Sequence, residues 1–510
     1  MLFNTSDLTA LVDNCVGTFH VPQLLVKLIN AAEVSTVLQL ANEFKITVYP
    51  ISAGHNWGYG SRSPYTMNSV VLDLSLMNKI IDFNAATGVV TLEPGVTQQQ
   101  LYQFLNDKKL PFLVPTTGAG PTASVLANAL EHGFGLTPQA DHCQAIMNLE
   151  AVLPDGTFYH SDFTAKGAIE LDRNFKWAVG PYLDGIFTQS NLGVVTSMTI
   201  ALSFKSSDIS AFYFTLKSDA YLEKATLVIQ DLMHRYGHLL GGINLMNALR
   251  VISMLKKSSS DKALTESELN LVQKELSLSD WTGVGTLYCE KEISKFVKKE
   301  IKKKLAPYCK QIIFMNRQRV RRIECLLKFI PKVLVGSIQK QLGKVKESLD
   351  IFEGKPGPAA LPLTYWRSKY NIPLEASSIN PDVGDIGLIW YAPVLVMTPD
   401  KVRSMVETVT QICRQNQIDP LITFTAFNPR IFDVTIPLLF NRLDLTQKRN
   451  AQRCYEQLIT AGQSAGCLPY RLGVQGSSLT IEENNFWKLQ RTLKQAVDPN
   501  NILAPGRYSL

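Results

Sequence analysis

Two hydrophobic periods alternate along the chain. In "TALVDNCV" and "EVSTVLQLANEF" apolar positions recur every three to four residues, so residues 1 to about 45 are expected to be helical. From 46 to 96 the pattern changes to short β-branched runs between turn residues, "ITVYPIS", "SVVLDLS", "KIIDF" and "GVVTLEPG", which predict strands. A helix over "TQQQLYQFLNDKKL", a small-residue loop "PTTGAGPTASVLANALEHGFG" and strands in "IMNLEAVLPDGTFYHS" and "GIFTQSNLGVVTSMTIAL" complete a first unit, 1–205. Between 206 and 445, strands in "SAFYFTLK", "GLIWYAPVLVM" and "LITFTAFN" alternate with longer amphipathic helices such as "YLEKATLVIQDLMHRYG" and "DKVRSMVETVTQICRQ". That order predicts an antiparallel sheet backed by helices, an α+β arrangement. The remainder, 446–510, carries two more helices and ends in a Pro/Gly-punctuated tail, "NNILAPGRYSL".

The loop "ISAGHNWGYGSRSP" follows a strand directly and places Gly54, Gly58 and Gly60 within seven residues. Such spacing lets a bulky ligand lie against the main chain. Its His55 has two readings on the residues alone, a turn residue bonded to nearby backbone or a group the ligand needs. A second glycine-rich loop, "TTGAGPT", also follows a strand. The pair suits a long dinucleotide whose pyrophosphate takes hydrogen bonds from backbone amides.

With 510 residues the chain exceeds what one core usually serves, and two domains are expected. Apolar residues at 45% and charged residues at 19% fit a folded enzyme and not a disordered chain. The net charge of +7 is mild for this length, and no basic, aromatic-spaced motif argues for nucleic acid. The excess gathers in residues 291–322, read as a solvated helical face or, alternatively, a docking patch for an acidic redox partner. Eight cysteines without a CxxC pair fit reduced thiols. The first fifteen residues lack the marks of an export signal and no apolar run reaches membrane-spanning length, so a soluble cytoplasmic protein is expected. Walker, HExxH, GxSxG and helix-opening GxGxxG motifs are absent, and His234 and His238 lack an intervening glutamate, so no metal site is expected. His132 beside Glu131 and His142 beside Asp141 are more suggestive, because both flank the second loop.

Taken in order, "ISAGHNWGYG", "PTTGAGPTASVLANALEHGFGLTPQADH", "GPYLDGIFTQSNLGVVTSM", "CLPYRLG" and "AVDPNNILAPGRY" resemble the FAD-binding flavoprotein family of vanillyl-alcohol oxidase and p-cresol methylhydroxylase. The resemblance spans essentially the whole chain. It implies a PCMH-type FAD-binding domain (1–205) completed by the C-terminal segment (446–510), with an intervening antiparallel-sheet-and-helix cap (206–445). It implies that Ser52, Ala53, Gly54, His55, Asn56, Trp57, Gly58, Tyr59 and Gly60, with Thr116, Thr117, Gly118, Ala119 and Thr122, hold the cofactor. Asn128, Gly133, Gly135, Pro138 and Asp141 would shape its pocket, and Gln189 to Val195, including Gly193, Val194 and Val195, would continue the wall.

Related flavoproteins of the berberine-bridge, hydroxynicotine-oxidase and cytokinin-dehydrogenase types bond flavin covalently through a histidine that "SAGHN" matches, which implies a His55–FAD bond. The vanillyl-alcohol and cresol enzymes attach flavin from the cap instead, where this chain has Gly387 and Leu388; a second, cysteine link is implied absent by Val114. The phenol-oxidising relatives imply a substrate clamp: Arg471 and Arg507 on a phenolate oxygen, with Tyr470 and Tyr59 as hydrogen-bond partners. Arg507 on a flavin phosphate or a helix end, with Arg471 paired with an acid, is the competing arrangement. No acid stands in "TTGAGPT", so any catalytic base is expected elsewhere. The function implied is hydride removal from a para-substituted phenol or related aromatic alcohol, with oxygen the expected electron acceptor and a homodimer the possible assembly. Oxidation of another alcohol, an amine or a secondary-metabolite intermediate is the alternative, and a flavin-binding protein without turnover is the rival class.

Overall fold

The computed structural model describes residues 5–17, 19–258, 260, 262–328, 332–373, 375, 379–476 and 483–509. Residues 1–4 of the expected N-terminal helical stretch lie outside it. The rest of that stretch forms helices Thr5–Val12 and Ala31–Phe44, but "LLVK" between them is a strand, Leu24–Lys27. It pairs in parallel with Val70–Asp73, which pairs in parallel with Val48–Ile51. A four-residue strand with neighbours on one side carries no periodicity of its own, which hides it in the sequence.

The tail locks onto this small sheet. Val48 N–H donates to Ile502 O and Ala504 N–H to Val48 O, both at 2.8 Å. Lys494 fixes the approach, its ammonium bonded to the Asn191 and Leu503 carbonyls at 2.8 Å and to the Asp498 carboxylate at 2.5 Å. A second, antiparallel sheet runs in the order Ile80–Asn84, Val89–Leu92, Val194–Ala201, Ile146–Val152, Phe158–Tyr159.

The largest sheet has eight antiparallel strands: Cys309–Met315, Asp208–Leu216, Trp281–Cys289, Leu240–Asn247, Thr423–Ala426, Ile431–Asn441 and Ile386–Tyr391 in sequence of pairing, with Val394–Val396 also on Ile431–Asn441. Because side chains alternate along a strand, its two faces differ sharply. Phe212, Phe214, Ile243, Leu245, Phe424, Phe432 and Val434 share one face and pack in one core cluster with buried residues of helices Leu222–Tyr236, Lys291–Leu305, Pro399–Gln415 and Leu445–Ala465. Each such burial is worth about 1.5–3 kcal/mol. The opposite face carries a rung running Tyr213, Val284, Asn244, Thr425, Asp433, and beside it a second running Thr215, Thr282, Met246, Thr423, Thr435. That polar face is the one turned to the cavity below. The basic segment 291–322 is not one helical face but helix Lys291–Leu305, strand Cys309–Met315 and part of helix Arg317–Leu327, with Val297, Ile301 and Leu305 buried. Among the described residues no helix is long and apolar enough to cross a membrane.

Candidate active site

A cavity of about 650 Å³ lies between the glycine-rich loops, the C-terminal tail and the polar face of the eight-stranded sheet. Ser52, Ala53, Gly54, His55, Asn56, Trp57, Tyr59, Thr117, Gly118, Ala119, Asn128, Gly133, Gly135, Gly193, Val194, Val195, Tyr470, Arg471 and Arg507 all line it. The expected residues Gly58, Gly60, Thr116, Thr122, Pro138 and Asp141 stand off its wall. Several of these support the wall from behind. Gly58, at φ +78°, leaves the space that Trp390 fills; a Cβ there would sit 2.4 Å from the indole. Thr116 donates its hydroxyl to Ile351 O at 3.0 Å, and Asp141 accepts from Gln144 N–H at 3.0 Å. Gly135 is needed because a Cβ would meet both Thr116 O and His142 Nε2 at 2.4 Å. His142 in turn bonds Asn128 at 2.7 Å, and burial lowers its pKa to about 4, so it is a neutral packing group.

The first loop meets the requirement for a dinucleotide phosphate. Among the described residues, no acceptor takes the main-chain N–H of Ala53, Gly54, His55 or Asn56, and all four residues line the cavity. Free amides in a turn are an anion-binding device. His55 stacks on Trp57, ring centroids 5.1 Å apart, and its Nδ1 is 3.0 Å from the Thr122 hydroxyl. Burial, then the charge of Arg62, lowers its pKa, so the imidazole is neutral at pH 7. Leu388, where the cresol-type relatives were expected to carry a flavin-linking side chain, is a buried aliphatic group in the wall and has no nucleophilic atom.

Across the cavity the two arginines do not stand free. Arg507 forms an ion pair with Glu131 and bonds the Tyr49 hydroxyl at 3.1 Å. Arg471 lies 3.7 Å from the other Glu131 oxygen, bonds Asn56 Oδ1 at 2.6 Å and sits over the Tyr59 ring, 4.6 Å from its centroid. Tyr508 donates to Glu131 at 3.0 Å. The two arginines expected to form the clamp thus share Glu131: Arg507 pairs with it directly, and one positive charge is left over for the trio. Burial alone would raise the Glu131 pKa, but Arg507, then Arg471, and the Tyr508 and Arg507 hydrogen bonds outweigh it and hold the carboxyl below its usual range.

Tyr59 and Tyr470 complete this end. Burial raises the pKa of both phenols and the nearby Asp433 adds to it, against the pull of Arg471. At neutral pH they are O–H donors. Phe427 stacks on Phe134 at 4.7 Å, and Phe134 meets Tyr470 edge-on at 5.2 Å, fixing the tyrosine ring. Gln189 holds the Tyr470 carbonyl at 2.8 Å.

Asp433 is the residue the sequence reading missed. It is 5% exposed, lines the cavity, and its Oδ1 has no hydrogen-bond partner in the chain. Burial raises its pKa to about 7, which is where a general base works best. A signal was available: "IFDVTIP" alternates strictly, with Phe432 and Val434 on the core face, so Asp433 must face the other way. In the sequence, Glu131 stands out only as a neighbour of His132.

The FAD binding domain family model matches residues 22–162. The chain is 32% identical over 486 residues to the 1'-carboxy-chondrochloren decarboxylase of Chondromyces crocatus, covering 94% of this chain and 89% of that one. It is 25% identical over 507 residues to the 4-cresol dehydrogenase [hydroxylating] flavoprotein subunit of Pseudomonas putida, covering 96% and 88%. A crystal structure of p-cresol methylhydroxylase with substrate bound superposes with a TM-score of 0.86 at 24% identity, over 100% of this chain and 93% of that one.

Proposed function

The chain belongs to the FAD-binding flavoprotein family of vanillyl-alcohol oxidase and p-cresol methylhydroxylase, and we propose that this FAD-dependent oxidoreductase acts on a para-substituted phenol or related aromatic alcohol. The observation that carries this reading is the group formed by Tyr59, Tyr470 and Arg471, with Asp433 in the same wall. FAD, when bound, supplies the two-electron acceptor.

The chain's own groups prepare the substrate. A phenol of pKa about 10 costs about 4 kcal/mol to ionise at pH 7. Two charge-assisted bonds at roughly 1.5–3 kcal/mol each offset that cost, and the positive charge left over on the Arg471, Arg507 and Glu131 trio is available for one of them. Tyr59 or Tyr470 donates the other. Asp433 accepts the phenolic proton, and the phenolate pushes electron density through the ring to its para position, which assists departure of hydride from the first carbon of the para substituent to the two-electron acceptor that FAD would supply. Titrating the oxidised holoenzyme with 4-alkylphenols should perturb the flavin spectrum, with binding weakened at least ~10-fold in Arg471→Ala. Unchanged binding in that variant, or no phenol binding in the wild type, contradicts the reading.

His55 is proposed as a covalent anchor for the cofactor, since its ring is neutral, lines the cavity and sits in the loop with free amides. Acid precipitation should leave FAD on the wild-type polypeptide and release all of it from His55→Ala; equal release from both removes the bond from the account. One specific observation favours a second reaction: the relative at 32% identity is named a decarboxylase, so oxidation with loss of CO2 from a carboxylated substrate is the alternative.

A further inference from the structure

A buried guanidinium without a counter-ion stands in the cap side of the cavity. Arg250 occupies the first turn of helix Ala248–Leu255, where the N-cap side chain of Asn247 accepts its backbone N–H at 3.0 Å. The residue is 8% exposed and lines the cavity. Its Nε donates to Thr423 Oγ1 at 3.2 Å, but Nη1 has no partner in the chain. Among the described residues, Arg367 and Arg442 are buried to a similar degree and behave differently: Arg367 pairs with Asp419 and Arg442 with Asp13. Burial lowers the Arg250 pKa, to about 10, and among the described residues no carboxylate forms an ion pair with it.

An unpaired buried charge is costly unless something in the cavity answers it. The wall beside Arg250 offers further unmet polar groups. Thr423 lies in one rung with Met246 and Thr282, whose Oγ1 is also without a partner, and the Asn244 carbonyl of the next rung is unmet too. Met246 and Met254 add apolar surface to the same cavity. A single cation flanked by a hydroxyl that can donate, with methionines lining the same cavity, matches one monoanionic carboxylate at the end of an apolar arm better than a doubly charged phosphate.

We propose that Arg250 binds a carboxylate of the substrate, so that the natural substrate is an aryl compound with an anionic side chain and not a neutral phenol. This rests on the reading that the same cavity takes the substrate. The test compares 4-propylphenol, 3-(4-hydroxyphenyl)propionate and 3-phenylpropionate on oxidised wild-type and Arg250→Met holoenzyme, by flavin-monitored titration. The hydroxyphenylpropionate should bind wild type at least ~10-fold more tightly than propylphenol, and Arg250→Met should erase that preference while leaving propylphenol binding unchanged. Arg250-dependent binding of 3-phenylpropionate with no binding of propylphenol would keep the carboxylate site and overturn only the phenol reading. Arg250→Met should also raise the melting temperature without ligand, because it removes an unanswered buried charge, and should lose the stabilisation that the carboxylates give wild type. Three results overturn the proposal: carboxylates bound no better than propylphenol or not at all, carboxylate affinity unchanged in Arg250→Met, or loss of FAD from that variant, which would assign Arg250 to the cofactor.

Discussion

Asp433→Asn is expected to slow reduction of the flavin by a 4-alkylphenol by roughly 10²–10⁴-fold, the usual contribution of a positioned base. The wild-type rate should rise with pH through about 7, where Asp433 loses its proton, and the variant should lack that rise. The same substitution should stabilise the protein at alkaline pH, and the sign follows from linkage. Buried Asp433 holds its proton up to about 7, whereas the unfolded chain releases it near the ordinary 3.8. Stability is therefore lost as pH rises between those values, and the loss is complete above about 7. At 1.36 kcal/mol per pH unit the interval amounts to about 4 kcal/mol, which an asparagine does not lose. Denaturant unfolding at pH 5 and pH 8.5 checks it: the variant's gain over wild type should be about 3 kcal/mol larger at the higher pH. A slow variant with an unchanged pH profile would remove Asp433 from the proton-transfer role.

Glu131→Gln should do the reverse. It leaves Arg471 and Arg507 facing each other without their shared carboxylate, and breaking a buried ion pair from one side costs about 3–5 kcal/mol. Because the Glu131 pKa is depressed, its contribution is present above the unfolded carboxyl pKa and disappears as pH falls through the folded one. The gap between wild type and variant in unfolding free energy should be full at pH 7 and shrink toward acid. An equal gap at pH 7 and in acid would mean that lost packing, not lost charge, is responsible.

How far the sequence reaches depends on the distance over which each signal acts. The two glycine-rich loops and the tail motif were legible because their composition is local, and the structure brings Ser52 to Trp57, Thr117 to Ala119 and Arg507 onto one cavity. The antiparallel sheet backed by helices was legible from alternation in "SAFYFTLK" and "LITFTAFN". Four of its strands, Leu240–Asn247, Trp281–Cys289, Cys309–Met315 and Ile431–Asn441, were not singled out. Two of these carry Asp433 and Asn244, so the polar cavity wall went unseen. Alternation says that Asp433 points away from Phe432, but only the pairing with Thr425 and Asn244 says that this face is a cavity wall and not solvent. The Glu131 to Arg507 pair spans 376 residues, and no local pattern announces it. Arg250 was invisible for a related reason: its sequence neighbourhood is that of any amphipathic helix, and its lack of an acid partner is a fact of packing alone.

In the proposed function, a phenol held by Tyr59, Tyr470 and Arg471 would give its hydride to bound FAD. Anaerobic mixing of the oxidised holoenzyme with phenols carrying neutral and carboxylated para side chains tests it most directly. At least one of them should bleach the oxidised flavin's visible absorbance in a single turnover, more slowly in both Asp433→Asn and Arg471→Ala. Persistent yellow colour across the panel, with the wild-type protein folded and fully loaded with FAD, would contradict it.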